Sequence, residues 1–566
     1  IAVPYDGTLT HRVAMQVSDN VTNAIYDFRP DGIPVTTTRA IAMNSSCNEC
    51  HVKLGFHGSD RVEVDYCVTC HNPGSTDANS GNIVDMKVMI HKIHRGEDLP
   101  SVEAGGEYTI WGYRDAEHDY SDVVHPQDLR NCTKCHDDAT ATPDGDNWKD
   151  VPTMEACGSC HDDVVFATGA NHGTAETAQA DNTGCTTCHP ATGTVVGGKS
   201  VVEAHEIVEQ VAAQSIQLNI LDVSTAAGTG GALDVTIQFS VTDPLNSDLE
   251  YDIMDTDPLD LTPLSFLIGW DTTDITNTGS GRTPAQVLTA SVDDATGDAN
   301  NIFTLTVSDA VPAGVTGSGV VGLQGHPYSD QDGDGDIDDR IPVQSVFKSF
   351  AITDATAVDR RAVVDIDNCN ECHQSLSLHG SNRTDEIQVC VMCHNPDATD
   401  VSVRPTDGTA TTDGKTEEAI DMKYMIHAIH AADEDLHGFR ENGIVVYGYR
   451  GSVNDFSHVR YPGNLNNCGA GHTGSTYEVP INENALPTTT KTGSDPAVPN
   501  DDTKITPATA VCSSCHDSLS ARTHMTEEGG RFDLSYTTEE EADAGGPTGT
   551  QPEGHSDRTD CSSCHS

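Results

Sequence analysis

Cys47-Asn-Glu-Cys-His51 and Cys369-Asn-Glu-Cys-His373 are two copies of the pentapeptide that decides how this chain folds. Two cysteines separated by two residues, with a histidine directly after the second, form the attachment motif of c-type haem. The two thiols add to the two vinyl groups of one porphyrin, and the histidine reaches the iron from the proximal side. The complete motif occurs nine times in 566 residues, beginning at Cys47, Cys67, Cys132, Cys157, Cys185, Cys369, Cys390, Cys512 and Cys561.

A tenth motif is incomplete, because Gly471 stands in place of the second cysteine in Cys468-Gly-Ala-Gly471-His472. The internal repeat predicts a haem there with at most one thioether bond, and a lost haem is the alternative. We therefore expect ten haem c groups, nine of them on complete motifs. The expected thioether cysteines are Cys47, Cys50, Cys67, Cys70, Cys132, Cys135, Cys157, Cys160, Cys185, Cys188, Cys369, Cys372, Cys390, Cys393, Cys468, Cys512, Cys515, Cys561 and Cys564. The expected proximal iron ligands are His51, His71, His136, His161, His189, His373, His394, His472, His516 and His565.

Other uses of paired cysteines fit this pattern poorly. A zinc ribbon needs paired cysteines but no histidine fixed after every pair. Redox-active pairs occur singly on a thioredoxin-like pattern. A disulfide framework would not place a histidine after each second cysteine. Covalent haem attachment takes place outside the cytoplasm, so the chain is expected to be exported.

The motifs are arranged as a duplicated unit of five. The segments that recur are Cys67-Val-Thr-Cys-His-Asn-Pro and Cys390-Val-Met-Cys-His-Asn-Pro, Met86-Lys-Val-Met-Ile-His91-Lys-Ile-His94 and Met422-Lys-Tyr-Met-Ile-His427-Ala-Ile-His430, Gly112-Tyr-Arg and Gly448-Tyr-Arg, and Leu129-Arg-Asn-Cys132 and Leu465-Asn-Asn-Cys468. Residues 41–205 and 361–566 are therefore predicted to be two pentahaem domains with little regular secondary structure. The first holds five motifs in 165 residues, or 33 per haem, and the whole chain is only 5% aromatic. We expect the haems themselves to form the core of each domain.

A different pattern fills residues 206–360, which contain no cysteine. Leu233, Val235, Ile237, Phe239 and Val241 alternate with polar residues, as do Phe303, Leu305 and Val307. Alternation with period two predicts half-buried antiparallel strands, here in a Greek-key β-sandwich or barrel. Residues 1–40 are interpreted as the C-terminal end of a first β domain that is mostly missing, with residues 11–17 as its last strand.

The charge of the chain limits its partners. It carries 88 acidic and 30 basic residues, a net charge of −58. Nucleic acid and anionic membranes would repel such a surface, whereas cations and cationic partners are favoured. No run of 18 apolar residues predicts a membrane span. The first residues are not a signal peptide, so either a leader has been removed or the chain starts inside a longer protein.

Sixteen histidines remain beyond the ten proximal ones, enough to cap every iron. The distal candidates that the repeat preserves are His57, His91, His94 and His172 in the first unit and His379, His427, His430 and His524 in the second. His205 follows the fifth motif and is the fifth candidate; His458 or His555 could fill the remaining place. His91 and His94 lie three residues apart on one helical face, so they could serve two neighbouring haems. His11, His118, His125, His326 and His437 have no repeat partner and are interpreted as surface residues.

An acidic loop suggests a second cofactor. Asp330, Asp332, Asp334, Asp336 and Asp338 place carboxylates at alternate positions around glycines, like the start of an EF-hand calcium loop. The twelfth position is Ile341 rather than the usual glutamate, and a solvated acidic turn is the alternative.

With ten motifs arranged five and five around a β domain, the chain resembles the OmcA/MtrC family of outer-surface decahaem cytochromes. The recurring segments quoted above carry the resemblance, and Tyr26-Asp-Phe-Arg-Pro-Asp-Gly32 is similar to the stretch that closes the family's first β domain. The family implies four domains, bis-histidine haems in a crossed or branched chain, and electron delivery to ferric minerals, flavins or electrodes. The sequence departs from the family in its missing first domain, in a middle β domain without the disulfide of some members, and in the incomplete motif at Cys468.

These features predict an extracellular electron conduit at the outer surface of the bacterial outer membrane. An outer-membrane conduit or periplasmic cytochromes would donate electrons; minerals, flavins or other cytochromes would accept them. Self-association is neither shown nor forbidden. The alternative is a multihaem reductase of a small oxyanion with one open haem, most readily at His472 or His565, which would make the chain an enzyme. All ten motifs end in histidine and none in lysine, which weakens that alternative. A surface adhesion protein with structural haems is a third hypothesis.

Overall fold

The computed structural model describes residues 6–17, 22–36, 39–137, 140, 142–173, 177–193, 195, 199–277, 287–406, 410–433, 438–496 and 498–534. The chain forms two compact units, residues 1–207 with 462–467, and residues 208–461 with 468–566. The finer division into four domains, at residues 40, 205 and 360, stays a prediction. Cys561, Cys564, His565, His555 and His437 lie outside the described residues.

Short helices and two-stranded ribbons make up the first unit. Its strands are β1 (His11–Met15), β2 (Ala24–Phe28), β3 (Thr109–Trp111) and β4 (Glu117–Asp119). Its helices are α1 (Asn44–His51), α2 (Val64–Cys67), α3 (Met86–Arg95), α4 (Pro100–Glu103), α5 (Asn147–Asp150), α6 (Met154–Cys160), α7 (Cys185–Cys188) and α8 (Val201–Ala204). Strand β1 pairs antiparallel with β2, so the prediction that residues 11–17 form the last strand of the N-terminal segment is wrong.

The apolar core of the first unit is very thin. Among its described residues, the buried hydrophobic side chains are Leu54, Val62, Val88, Leu99 and Tyr108. A folded unit of this size normally buries far more apolar surface than five side chains provide. The thin core is compatible with the prediction that porphyrin rings fill its interior.

The second unit begins with a β-rich segment and ends with another set of short helices. Its strands are β5 (Gln217–Ala227), β6 (Leu233–Asp243), β7 (Leu249–Glu250), β8 (Leu259–Asp260), β9 (Ser265–Trp270), β10 (Leu288–Ser291), β11 (Thr296–Gly297), β12 (Phe303–Val311), β13 (Ser318–Gln324), β14 (Tyr328–Ser329), β15 (Asp339–Arg340), β16 (Val346–Ala351), β17 (Ser377–Leu378), β18 (Arg383–Thr384), β19 (Val445–Tyr447), β20 (Val453–Asp455), β21 (Thr488–Lys491) and β22 (Thr503–Ile505). Its helices are α9 (Val208–Ala213), α10 (Ile366–His373), α11 (Ile387–Cys393), α12 (Met422–His430), α13 (Pro507–Cys515) and α14 (Leu519–Glu527).

Two antiparallel sheets form a sandwich in residues 217–351. One has the order β11-β12-β6-β5 with β7 beside β6, and the other has the order β10-β9-β13-β16. Phe239 of β6 packs edge-on against Phe266 of β9 at 4.9 Å between ring centroids, and against Phe303 of β12 at 5.7 Å. The alternation in β6 and β12 therefore predicted both strands and their buried faces correctly. The barrel alternative is wrong, because the strands form two separate sheets rather than one closed sheet.

The second sheet of the sandwich is covered on both faces. Its outer face presents Leu267 and Val320 to Val389 and Met392 of α11, which carries the motif that begins at Cys390. A side chain at Gly322 would come within 3.0 Å of the Val389 Cγ2 atom. Glycine at this position lets the helix approach the strand closely.

A buried carboxylate ties the sandwich to the segments that follow it. Asp274, 1% exposed, accepts hydrogen bonds of 2.9 Å from both Arg360 and Arg361. Its second oxygen accepts from the backbone N–H of Leu486 at 2.8 Å. One side chain thus joins the loop after β9, the linker before α10 and the chain before β21.

In the part of the chain that the structure describes, every helix is too short or too polar to span a bilayer.

Replacing Asp274 with alanine should lower the free energy of unfolding of the second unit by about 3 kcal/mol, because two arginines would lose their buried carboxylate partner. The loss is not larger because both arginines are partly exposed. Thermal unfolding followed by far-ultraviolet circular dichroism measures the effect. Asp222→Ala, which removes an exposed carboxylate on β5, is the matched control and should change the unfolding little. Equal behaviour of the two variants would contradict the role assigned to Asp274.

Candidate haem sites

The first motif of each unit ends its helix in the same way. Helices α1 and α10 finish at the motif histidine, and the next residue, Val52 or Gln374, takes a left-handed conformation with φ of 61° or 62°. The asparagine inside the motif holds the turn that follows, since the side-chain oxygens of Asn48 and Asn370 accept from the backbone N–H of residues 54 and 376. This contact explains why both copies read Cys-Asn-Glu-Cys-His.

Of the nine motif histidines that the structure describes, eight face a second histidine. The pairs are His51 with His94, His71 with His57, His136 with His91, His161 with His205, His189 with His172, His373 with His430, His394 with His379, and His472 with His427. Their ring centroids lie 5.9 to 6.4 Å apart. Seven of these second histidines belong to the set that the repeat preserves, and the eighth, His205, is the candidate chosen because it follows the fifth motif.

The spacing has a simple chemical meaning. A metal–imidazole bond is about 2 Å long and a ring centroid lies about 1.2 Å behind its nitrogen, so two imidazoles on one metal ion have centroids about 6.4 Å apart. Direct packing of two rings requires no such constant distance. The centroid distances of the eight pairs match this spacing, so the residues present fit a haem at each.

One helix in each unit supplies two of these rings. On α3, His94 faces His51 of the first motif and His91 faces His136 of the third. On α12, His430 and His427 face the corresponding motif histidines of the second unit. Because residues three apart share a helical face, a single helix spans two neighbouring sites.

Hydrogen bonds orient many of these imidazoles. The Nδ1 atoms of His94, His205, His427 and His430 each contact the carbonyl oxygen four residues earlier at 2.6 to 3.0 Å. The motif histidines His71 and His394 contact the carbonyl oxygens of residues 84 and 420 at 2.8 Å. A carbonyl accepts only from a protonated Nδ1, so Nε2 is left as the metal-binding nitrogen.

Burial keeps several of the paired rings neutral. Together with a facing histidine or a nearby arginine, it lowers the pKa of His91, His379 and His430 to about 4. Iron binds the neutral form of imidazole, so these side chains need lose no proton before coordinating metal near neutral pH.

Neighbouring thiols reveal the order of the motifs in space. The pKa of Cys47 is raised to about 11, first by burial and then by the nearby thiols of Cys135 and Cys67. Burial and the thiol of Cys160 raise that of Cys132, and burial and Cys185 raise that of Cys157. The first unit therefore places its motifs in the order second, first, third, fourth, fifth.

The second unit repeats this order as far as it is described. Burial, followed by several neighbours that include the thiol of Cys369, raises the pKa of Cys390 to about 12, and Cys468 lies close to Cys515. The first and third motifs meet where the carbonyl of Gly471 accepts from the backbone N–H of Asp365 at 3.3 Å. In both units, the helix with two histidines also packs on the helix of the fourth motif, α3 on α6 and α12 on α13.

His326 was interpreted from the sequence as a surface residue but is only 8% exposed. The same interpretation of His125 is also wrong. Its ring lies edge-on to His94 at 5.7 Å, and burial lowers its pKa to about 4. Tyr461 lies edge-on to His430 in the same way, at 5.5 Å. The sequence does indicate this position, since His125-Pro126 aligns with Tyr461-Pro462 and both place an aromatic ring before a proline. The indication is missed when only histidines that recur in both units are considered.

The remaining candidate iron ligands are not seen in histidine pairs among the described residues. His516 has the ring of Phe439 at 5.3 Å, and His524 lies on α14. His565, the repeat counterpart of the motif histidine that His172 faces, is outside the described residues. His458 faces no motif histidine among the described residues. The sequence named His472 as a candidate open site, but His427 lies opposite it at 5.9 Å.

The acidic loop brings together only part of the predicted calcium set. Carboxylate oxygens of Asp330, Asp332 and Asp339 lie within 4.8 Å of one another, whereas Asp334, Asp336 and Asp338 do not join them. Asp339 was missed because it falls outside the alternation. Backbone N–H groups already bond to this set, with Gly333 donating to Asp330 and Gln331 donating to Asp339.

Known proteins share this arrangement. A family model described as outer membrane cytochrome MtrC/MtrF-like, domains II/IV, matches residues 39–205 and 361–566, about two thirds of the chain. The chain belongs to this family. Membership in the OmcA/MtrC group, predicted from the repeat, is confirmed, and with it the assignment as a multihaem c-type cytochrome.

Individual relatives agree with the MtrC/MtrF-like assignment. The multiheme cytochrome MtrC of Shewanella baltica (strain OS185) is 30% identical over 227 residues, which cover 38% of this chain and only 30% of that protein. The crystal structure of the outer membrane decaheme cytochrome OmcA is similar with a TM-score of 0.69 at 21% identity, over 100% of this chain and 79% of OmcA. The crystal structure of MtrC from Shewanella baltica OS185 is similar with a TM-score of 0.62 at 19% identity, over 96% of this chain and 81% of that MtrC chain. These structures support the multidomain fold.

Calcium binding by the acidic loop stays a prediction. If the cluster binds calcium, Asp339→Asn should weaken binding at least tenfold, because it removes one charged ligand of three. Asp336→Asn, outside the cluster, is the control and should have little effect. Calorimetric titration measures both, and a wild-type protein that gives no binding heat would contradict the prediction.

Proposed function

We propose that this protein is an extracellular electron conduit in which ten haem c groups, each held between two histidines, carry electrons to external acceptors. The observation that carries the proposal is the set of eight histidine pairs with an iron-sized gap. Bound haem c would supply a one-electron iron couple at each site.

The residues at these sites suit electron transfer rather than substrate binding. Two histidines per site would hold the iron of a bound haem from both sides and would leave it no position for a substrate. The Nδ1 hydrogen bonds hold the rings in place, so the ligand geometry changes little between oxidation states. The oxyanion-reductase alternative needs an open site, and at His472 it loses support because His427 lies opposite.

The spatial order of the motifs supports transfer along each unit. In the first unit, a thiol of each motif lies close enough to a thiol of the next one in space to raise its pKa. The order in space runs from the second motif through the first, third and fourth to the fifth. Haems attached to neighbouring motifs would therefore lie side by side. The second unit supports the same sequence of sites in its described part.

Location and partners are further parts of the proposal. Haem attachment outside the cytoplasm and the family description favour the outer surface of the outer membrane. We infer that outer-membrane conduit proteins or periplasmic cytochromes donate electrons. Ferric minerals, flavins, electrodes or other cytochromes would accept them, and the charge of −58 favours cationic partners and oxide surfaces.

Replacing a distal histidine should open one site. His205→Ala removes the ring opposite His161 and should convert one haem's share of the low-spin signal to high spin in electron paramagnetic resonance. His118→Ala, an exposed histidine outside the pairs, should leave the spectrum unchanged. His205→Met should stay low spin and raise that haem's potential, as methionine ligation does. A wholly low-spin His205→Ala protein would contradict the ligand assignment.

The incomplete motif offers a direct test of the tenth haem. A side chain built at Gly471 meets nothing within 4 Å, so Gly471→Cys should fit and form the missing thioether. The wild-type pyridine haemochrome should count ten haems, with one still conjugated to a free vinyl group and absorbing at longer wavelength. Gly471→Cys should remove that component, and Gly471→Ser, equal in size but without a thiol, should keep it. Nine haems in the wild type would show that the Cys468 motif is vacant.

A further inference from the structure

The loop between the first and second motifs has the same five residues in both units except at one position. It reads His57-Gly-Ser-Asp-Arg61 in the first unit and His379-Gly-Ser-Asn-Arg383 in the second. The loop carries a histidine of one facing pair and, four residues later, an arginine. Both His57 and His379 have positive φ, at 52° and 56°, so the backbone is bent alike.

β structure braces this loop in each unit. In the first unit, Asn23, just before β2, donates to the carbonyl of residue 60 at 2.8 Å and accepts from the N–H of Val62 at 3.0 Å. In the second, the N–H of Gly325 donates to the carbonyl of residue 382, and that of Ser345 donates to the carbonyl of Thr384, both at 2.9 Å. The loop and its arginine are therefore held rigidly in both places.

The two arginines differ in what they bind. Arg61 donates from Nε to the side-chain oxygen of Gln16 at 3.0 Å and lies over the ring of Tyr66. The Nε of Arg383 is buried and has no hydrogen-bond partner in the described structure. No described carboxylate forms an ion pair with Arg383 either. A buried guanidinium N–H without an acceptor is strongly unfavourable, so the site is built for an anion.

The surroundings of Arg383 indicate which anion fits. Its charge acts on both thiols of one motif, Cys390 and Cys393, and on both facing imidazoles, His394 and His379. The guanidinium therefore lies beside the space where the haem of that motif would be bound. Two carboxylates of the chain, Glu386 and Asp421, also act on this motif, but neither forms an ion pair with Arg383 in the described structure. The haem of this motif would bring two propionates, and arginine pairs with carboxylate through strong, directional hydrogen bonds.

We propose that Arg383 binds a propionate of the haem attached at Cys390 and Cys393, and thereby raises the potential of that haem above that of its repeat counterpart at Cys67 and Cys70. A fixed positive charge disfavours the more positive ferric state. Arg61 also carries its charge beside the counterpart motif, where it acts on Cys67 and His57. Its Nε already donates to Gln16, so it is less free to pair with a propionate and has the weaker effect. The inference rests on the proposed function and makes the two units energetically unequal, although their ligands are the same.

The test is an optical redox titration of the intact, haem-loaded protein. Arg383→Gln should move one haem's share of the absorbance change to lower potential, and Arg383→Lys, which keeps the charge, should restore most of the wild-type curve. Arg61→Gln is the matched control in the first unit and should move the curve less. All three variants should remain low spin, because no iron ligand is changed.

Three results would overturn the inference. They are an Arg383→Gln curve that coincides with the wild type, an equal shift in Arg61→Gln, and a lowered melting temperature with unchanged potentials, which would mean a purely structural role. None of these results would affect the proposed function, whose failure would appear instead as a low-spin His205→Ala protein.

Discussion

Pairs of imidazole rings whose centroids lie 5.9 to 6.4 Å apart are the constraint on which both haem units depend. The backbone around these pairs is fixed at several points. Carbonyl oxygens bind many of the Nδ1 atoms, and the first motif helices end in left-handed turns held by Asn48 and Asn370. The haem units are thus organised around these pairs rather than around an apolar core.

In each unit, the helix with two histidines links two of these pairs. Since α3 and α12 each present rings to the first and third motifs, and each packs on the helix of the fourth, three motifs are placed by one element. A shift of that helix would disturb two histidine pairs at once. The same interdependence explains why a duplicated chain keeps this segment nearly unchanged while its loops differ, as in the longer stretch between His394 and α12.

The β-sandwich has the only large apolar core among the described residues, yet it also contributes to the haem region. One of its sheets is buried on both faces, against the facing sheet and against α11. The loop after β9 supplies Asp274, and the segment after β13 braces the loop that carries His379 and Arg383. Within the second unit, the sandwich therefore acts as a rigid support for a haem motif.

The sequence by itself determined the chemistry: the attachment motifs, the duplication, the distal histidines of eight facing pairs, and the strands β6 and β12, because covalent spacing and period-two alternation are local properties. The tertiary structure decided what depends on distant residues. It settled which distal ring faces which motif, the order of the motifs, and the place of His125, which the sequence alone did not distinguish from a surface residue. It also revealed β13, which is buried on both faces and therefore shows no alternation of apolar and polar residues, and the difference between Arg61 and Arg383. That difference depends on Gln16, which is 45 residues away from Arg61 in the chain, and no local pattern encodes such a contact.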